Sequence, residues 1–183
     1  VKGVETADSW TTDAHKWLNV PYDSGLAIVA HPAPHRAAMS LHASYLVRGP
    51  SDERAGMDWV PESSRRARVI PLYAALRGLG RSGLRDLVHR NCVLARRMAD
   101  RLAPAPGIAI LNEVVLNQVL VRFGDDDALT REVISRVQAD GTCWAGGANW
   151  QGREVMRISV SNWSTTEEDI DRSAAAIIRS YQR

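Results

Sequence analysis

Asp13-Ala14-His15-Lys16-Trp17, running on through Leu18-Asn19-Val20-Pro21-Tyr22-Asp23-Ser24-Gly25, is the stretch on which the reading of this chain turns. Upstream of it, Glu5 to Thr12 alternates in the manner of a strand and ends at the motif. Downstream, Gly25-Leu26-Ala27-Ile28-Val29-Ala30 is a short apolar run of buried-strand length, stopped by His31-Pro32-Ala33-Pro34. The lysine therefore sits at a polar bend between two strands. An isolated His-Lys pair is ordinarily solvated surface, so the pair alone decides nothing. In a desolvated, positively flanked site, however, a lysine amine gives up its proton and becomes a nucleophile.

Composition suits a soluble globular piece: 183 residues, 45% hydrophobic and 24% charged, with a formal charge of +2. That length predicts one domain plus part of another. The charge is too small to point to nucleic acid. The basic clusters, Arg65-Arg66 with Arg68 and later Arg96-Arg97, fall in helical patterns whose default is a solvated face. Nothing like a signal peptide or apolar span precedes the motif, and no membrane partner is expected. Cys92 and Cys143 lie far apart with no ligand spacing, which suits a reduced, cytoplasmic setting. His35, His42 and His89 lack partners at metal-ligand spacing, so no structural metal is expected.

The order of elements predicts an α/β chain. The stretch from Leu41 to Pro61, with Gly49-Pro50 and Gly56, has no sustained period and reads as a long loop and a candidate lid. A helical pattern starts at Arg65, with Ser63 or Ser64 as its N-cap. Gly78-Leu79-Gly80 then introduces a second helix with Leu84, Leu87, Val88, Ala95, Met98 and Leu102 on its apolar stripe, ended by Pro104 and Pro106. Strands follow at Ile108 to Leu111 and Gln118 to Phe123. A helix over Thr130 to Gly141 has a glycine suited to a left-handed cap. A strand pair comes next, Cys143 to Gly147 with Glu154 to Ser161, and then a terminal helix opened by a capping box within Ser164 to Glu168. Strands with flanking helices imply a sheet covered on one face. Trp17, Trp144, Trp150 and Trp163 read as packing or interface residues.

The motif resembles the cofactor-lysine segment of the group II amino-acid decarboxylases, the pyridoxal-phosphate (PLP) family of aromatic-L-amino-acid, histidine and glutamate decarboxylases. The resemblance implies that Lys16 condenses with the PLP aldehyde and that His15 donates a hydrogen bond to the phosphate. Ala43-Ser44-Tyr45-Leu46 matches the family's mobile-loop tyrosine, which makes Tyr45 the acid that returns a proton to Cα after carbon dioxide leaves. Ser63-Ser64-Arg65-Arg66 resembles a small residue and arginine pair that reaches the partner subunit's site, which would put Ser64 in the substrate pocket. Asp13 departs from the asparagine usual in animal members. A carboxylate repels phosphate, so Asp13 is expected to make no direct phosphate contact.

The implied fold is fold-type-I PLP-dependent transferase-like, truncated to the end of the large cofactor domain plus the α+β C-terminal small domain. Residues 1–62 would close the PLP-binding domain and carry its mobile loop, 63–82 form an interdomain helix, and 83–183 the small domain. The implied reaction is α-decarboxylation of an L-amino acid to its amine, with an aromatic substrate favoured and an acidic or diamino one open. The implied partners are a second copy, as a homodimer, and the missing N-terminal half of the large domain. The isolated fragment is expected to be inactive. Two alternatives stand beside this: another His-Lys PLP enzyme such as a cysteine desulfurase or aminotransferase, and a catalytically silent dimerising half of a split or degenerate enzyme. A desulfurase needs a reactive cysteine on a loop, which neither Cys92 nor Cys143 supplies.

Overall fold

The computed structural model describes residues 2–41 and 54–183, in two compact units, Val1–Ala75 and Leu76–Arg183. In the first unit, β1 (Ser9–Asp13) and β2 (Gly25–Val29) form an antiparallel ribbon with Ser9 opposite Val29 and Asp13 opposite Gly25. Its first strand starts later than the alternation from Glu5 predicts. Val4–Thr6 instead forms a 3-10 turn, whose Val4 carbonyl accepts the Trp10 indole N–H at 2.9 Å.

The prolines after β2 begin a helix as well as ending a strand. α1 (Pro32–Met39) was not anticipated from the sequence, where Pro32 and Pro34 read only as a stop. A proline in the first turn costs nothing there, because first-turn N–H groups have no intrahelical acceptor in any case. Most of the expected long loop, with Tyr45, lies outside the described residues. Its far end is more ordered than expected, since Gly56–Trp59 form a 3-10 turn. Arg36 of α1 donates to Asp58 of that turn from Nε at 3.3 Å and Nη2 at 3.2 Å.

The helix expected from Arg65 starts at Val69, so neither Ser63 nor Ser64 caps it. α2 (Val69–Leu102) is a helical run broken at Gly80, whose φ of 63° and ψ of −175° place the break within the expected Gly78-Leu79-Gly80 punctuation. Residues 65–68 stay irregular, and within them Arg66 and Arg68 are bonded to Tyr22 and Asp23. The small core of the first unit joins Ala14, Val20 and Leu72, with Leu18, Leu26 and Ala75 packed against them.

The second unit is built on a four-stranded antiparallel sheet in the order β3 (Ile108–Ile110), β4 (Gln118–Phe123), β6 (Arg153–Ser159), β5 (Gly146–Trp150). On β4, Val119, Val121 and Phe123 alternate into the main core, as period-2 geometry requires. They meet Leu94, Met98 and Leu102 of α2, Val133 and Val137 of α3 (Asp127–Asp140), and Ile170, Ala174 and Ile177 of α4 (Glu167–Gln182). Arg122, between them, is buried on the other face and ion-paired to Asp127 at 2.6 Å.

Several boundaries shift for identifiable reasons. α3 begins before Thr130 because the Asp126 carboxylate caps it, accepting from Ala128 N–H at 2.9 Å. Gly141 ends it in the left-handed region at φ 76°, as the sequence predicts. The β5–β6 hairpin is displaced from the expected Cys143 to Gly147 and Glu154 to Ser161. Gln151 and Gly152 both have positive φ, which fits a two-residue hairpin turn of the favoured handedness and pairs Trp150 with Arg153. The capping box of α4 is Thr166 with Asp169. Trp144, Trp150 and Trp163 are exposed within this chain. Among the described residues, no helix is long and apolar enough to cross a membrane.

Candidate functional site

The lysine turn, residues 14–24, connects paired ends of the ribbon, so its first and last residues start close together. Ala14 N–H donates to Ser24 O at 2.8 Å, and Val20 N–H donates back to Ala14 O at 3.3 Å. Lys16 N–H donates to Asp13 O at 3.1 Å, and Asn19, in the left-handed region at φ 54°, donates to Lys16 O at 3.2 Å. Ala14 and Ser24 are buried, which leaves Lys16 standing out from a buried floor with 68% of its side chain exposed.

Two ring nitrogens and one carboxylate define the chemistry here. Ser24 N–H donates to His15 Nδ1 at 3.0 Å. The Ser24 carbonyl is also near Nδ1, but its two lone pairs already take the N–H groups of Ala14 at 2.8 Å and His15 at 3.4 Å, so the lone pair is assigned to Nδ1 and, in the neutral ring, the hydrogen to Nε2. The Tyr22 ring lies against the imidazole, with centroids 4.1 Å apart and planes tilted by 32°. The Lys16 ammonium is 2.7 Å from Asp13 Oδ2. Its hydrogen bond, then its charge, hold the Asp13 carboxyl below the usual carboxylate range. This partner for Asp13 was missed in the sequence, although the i,i+3 spacing was there to read.

The arginine run supplies a second set of residues that sequence reasoning placed elsewhere. Arg65 pairs with Glu62 at 3.1 Å. Arg66 Nη1 donates to the Tyr22 carbonyl at 3.2 Å, and Arg68 forks onto Asp23, Nε to Oδ1 at 2.7 Å and Nη2 to Oδ2 at 3.1 Å. The hydrogen bond from Arg68 holds the Asp23 carboxyl low, and Asp23 in turn raises the guanidinium. Arg66 and Arg68 are therefore not a solvated helical first turn. Ser64 is exposed in the irregular segment before α2. Tyr45 lies outside the described residues. Cys92 is buried on α2, while Cys143 is half-buried just before β5, its thiol pushed up by burial. Among the described residues, the indole N–H of Trp17 is buried without an acceptor.

The family profile described as the pyridoxal-dependent decarboxylase conserved domain matches residues 1–123. The chain belongs to the pyridoxal-dependent decarboxylase family. It is 28% identical to a histidine decarboxylase of Rattus norvegicus over 173 residues, 94% of this chain and 26% of that protein. It is 26% identical to tyrosine decarboxylase 2 of Arabidopsis thaliana over 180 residues, 93% of this chain and 33% of that one. Among solved structures it matches Oryza sativa TDC, crystallised with PLP and tryptamine, with a TM-score of 0.90 at 20% identity over 99% of this chain and 40% of that one. The chain thus spans between about a quarter and two fifths of these relatives. Its fold is the fold-type-I PLP-dependent transferase-like one, over the part of those chains that it covers.

Proposed function

We propose that this chain is the lysine-bearing C-terminal part of a PLP-dependent amino-acid decarboxylase, converting an L-amino acid, with an aromatic one favoured, to its amine and carbon dioxide. The observation that carries this reading is Lys16, exposed on a hydrogen-bonded turn anchored by the buried Ala14, Val20 and Ser24, beside a histidine whose Nδ1 is occupied. The residues fit the lysine side of the cofactor site. Lys16 would hold PLP covalently, and His15 Nε2–H is the donor suited to its phosphate. When bound, PLP supplies an electron sink for the charge left at Cα as carbon dioxide departs.

What the chain's own groups do follows from their chemistry. Asp13 stabilises the charged form of Lys16, so the Lys16–Asp13 pair must open and the ammonium lose its proton before the amine can act as a nucleophile. Tyr45 is assigned the proton returned to Cα. Residues 1–62 serve as the end of the cofactor domain, 63–82, helical only from Val69, as the interdomain segment and 83–183 as the small domain. Ser64 reaches the neighbouring pocket of a cytoplasmic homodimer, and the rest of the large domain supplies an acceptor for the Trp17 indole.

Borohydride treatment of the complete protein with PLP, followed by peptide mapping, tests the reading. The pyridoxyl label is expected on Lys16, and carbon dioxide and amine are the expected products. A label on any other lysine overturns it. Tyr45→Phe should keep the label on Lys16 and slow amine release by about two to four orders of magnitude. Unchanged turnover would remove Tyr45 from the chemistry.

A further inference from the structure

The turn that carries Lys16 is held on two sides by one later segment. Leu72, in the first turns of α2, packs on Ala14 and Val20 beneath the turn. A few residues earlier, Arg66 and Arg68 hold its far end at Tyr22 and Asp23. In a helix, residues two apart point roughly 200° away from each other, and they could not grip adjacent residues. Here a tight turn at Ala67, closed by Arg68 N–H to Arg66 O at 2.8 Å, brings both guanidinium groups to the same short stretch.

The gripped residues touch the histidine next to the lysine. The Tyr22 ring covers the imidazole, and the backbone N–H that follows Asp23, that of Ser24, occupies Nδ1. Displacing Tyr22 and Asp23 would move a ring face and a hydrogen-bond donor of His15 together. We propose that Arg66 and Arg68 are positioning residues for the cofactor lysine, fixing Tyr22 and Asp23 so that His15 and Lys16 are presented in one orientation. This rests on the assignment of Lys16 and His15 to the cofactor. An exposed ion pair contributes little to stability, and Asp23 has 64% of its side chain exposed. The arginine fork therefore acts chiefly on geometry, which two planar, parallel hydrogen bonds specify and a lysine cannot reproduce.

The test measures Lys16 and not turnover. In the complete protein at subsaturating PLP, the fraction of Lys16 trapped by borohydride is compared for the parent, Arg68→Gln, Asp23→Asn, Arg68→Lys and the reversed pair Asp23→Arg/Arg68→Asp. The melting temperature of each cofactor-free protein is recorded alongside. Trapping should fall by about tenfold or more in Arg68→Gln and Asp23→Asn, as expected for a misplaced reacting group. Melting should stay close to the parent, Arg68→Lys should show part of the loss, and the reversed pair should recover much of the trapping. Single variants that trap Lys16 as well as the parent, or a reversed pair no better than they are, would overturn the clamp. So would a melting temperature that falls in step with trapping across the series. If Arg68→Gln does not fold, Arg68→Lys carries the comparison. A parent label away from Lys16 sinks the functional reading itself, whereas a Lys16 label indifferent to Arg68 sinks the clamp alone.

Discussion

Of the 23 basic residues in this chain only Lys2 and Lys16 are lysines. The bias matters chemically, because a guanidinium stays protonated at any working pH and cannot serve as an amine nucleophile. Arginine instead does the gripping: Arg68 on Asp23, Arg36 on Asp58, Arg122 on Asp127. A different single-residue constraint sits at Gly107, which has φ +80° and lies so close to the Tyr181 ring that an added Cβ would collide with its hydroxyl end. Gly107→Ala should lose about 1–3 kcal/mol, from the left-handed backbone and the displaced tyrosine together. Tyr181 also packs against Phe123 at 5.5 Å between ring centroids, so moving it disturbs the core. Denaturant midpoints check this. Equal midpoints for the alanine variant and the parent would show that the position tolerates a side chain.

Among elements, α2 and α4 are joined by one carboxylate shared between two arginines. Arg97 donates to Asp171 at 2.8 and 2.7 Å, Arg101 at 2.9 Å to each oxygen, and Glu167 adds a third contact to Arg97 at 2.9 Å. The hydrogen bonds from Arg97, then Arg101, pull the Asp171 carboxyl from 3.8 down to about 2. A carboxyl whose pKa is lower when folded binds fewer protons folded than unfolded. Its contribution is therefore complete above the unfolded value and disappears as pH falls through the folded one. Asp171→Asn should lower the melting temperature at neutral pH, and its deficit against the parent should shrink between about pH 4 and pH 2. A deficit that stays constant across that window would assign the loss to packing or hydrogen bonding and not to charge. Helices α2, α3 and α4 were legible from their apolar periods, β4 from its alternation and the left-handed cap at Gly141 from its glycine, whereas α1 was not. The start of α2 was not, because nothing local tells an N-capping serine from one left in an irregular segment when downstream arginines are drawn to a distant turn.

For the whole molecule, the family and the fold class followed from the sequence because they rest on short-range features. A lysine flanked by histidine and tryptophan between two strands is set by residues adjacent in the chain. So are the helical and strand periods that follow, and the family match over residues 1–123 bears the likeness out. Asp13 beside Lys16 was within reach of the same local logic at i,i+3. The tertiary structure alone decided which arginines hold the lysine turn, since Arg66 meets Tyr22 across 44 residues and Arg68 meets Asp23 across 45. It also decided that Asp171 serves two arginines, 74 and 70 positions earlier. Periodicity and spacing carry information about neighbours along the chain. Contacts at such separations depend on how folded elements are brought together, and a charged side chain in a sequence carries no mark of which distant partner it will meet.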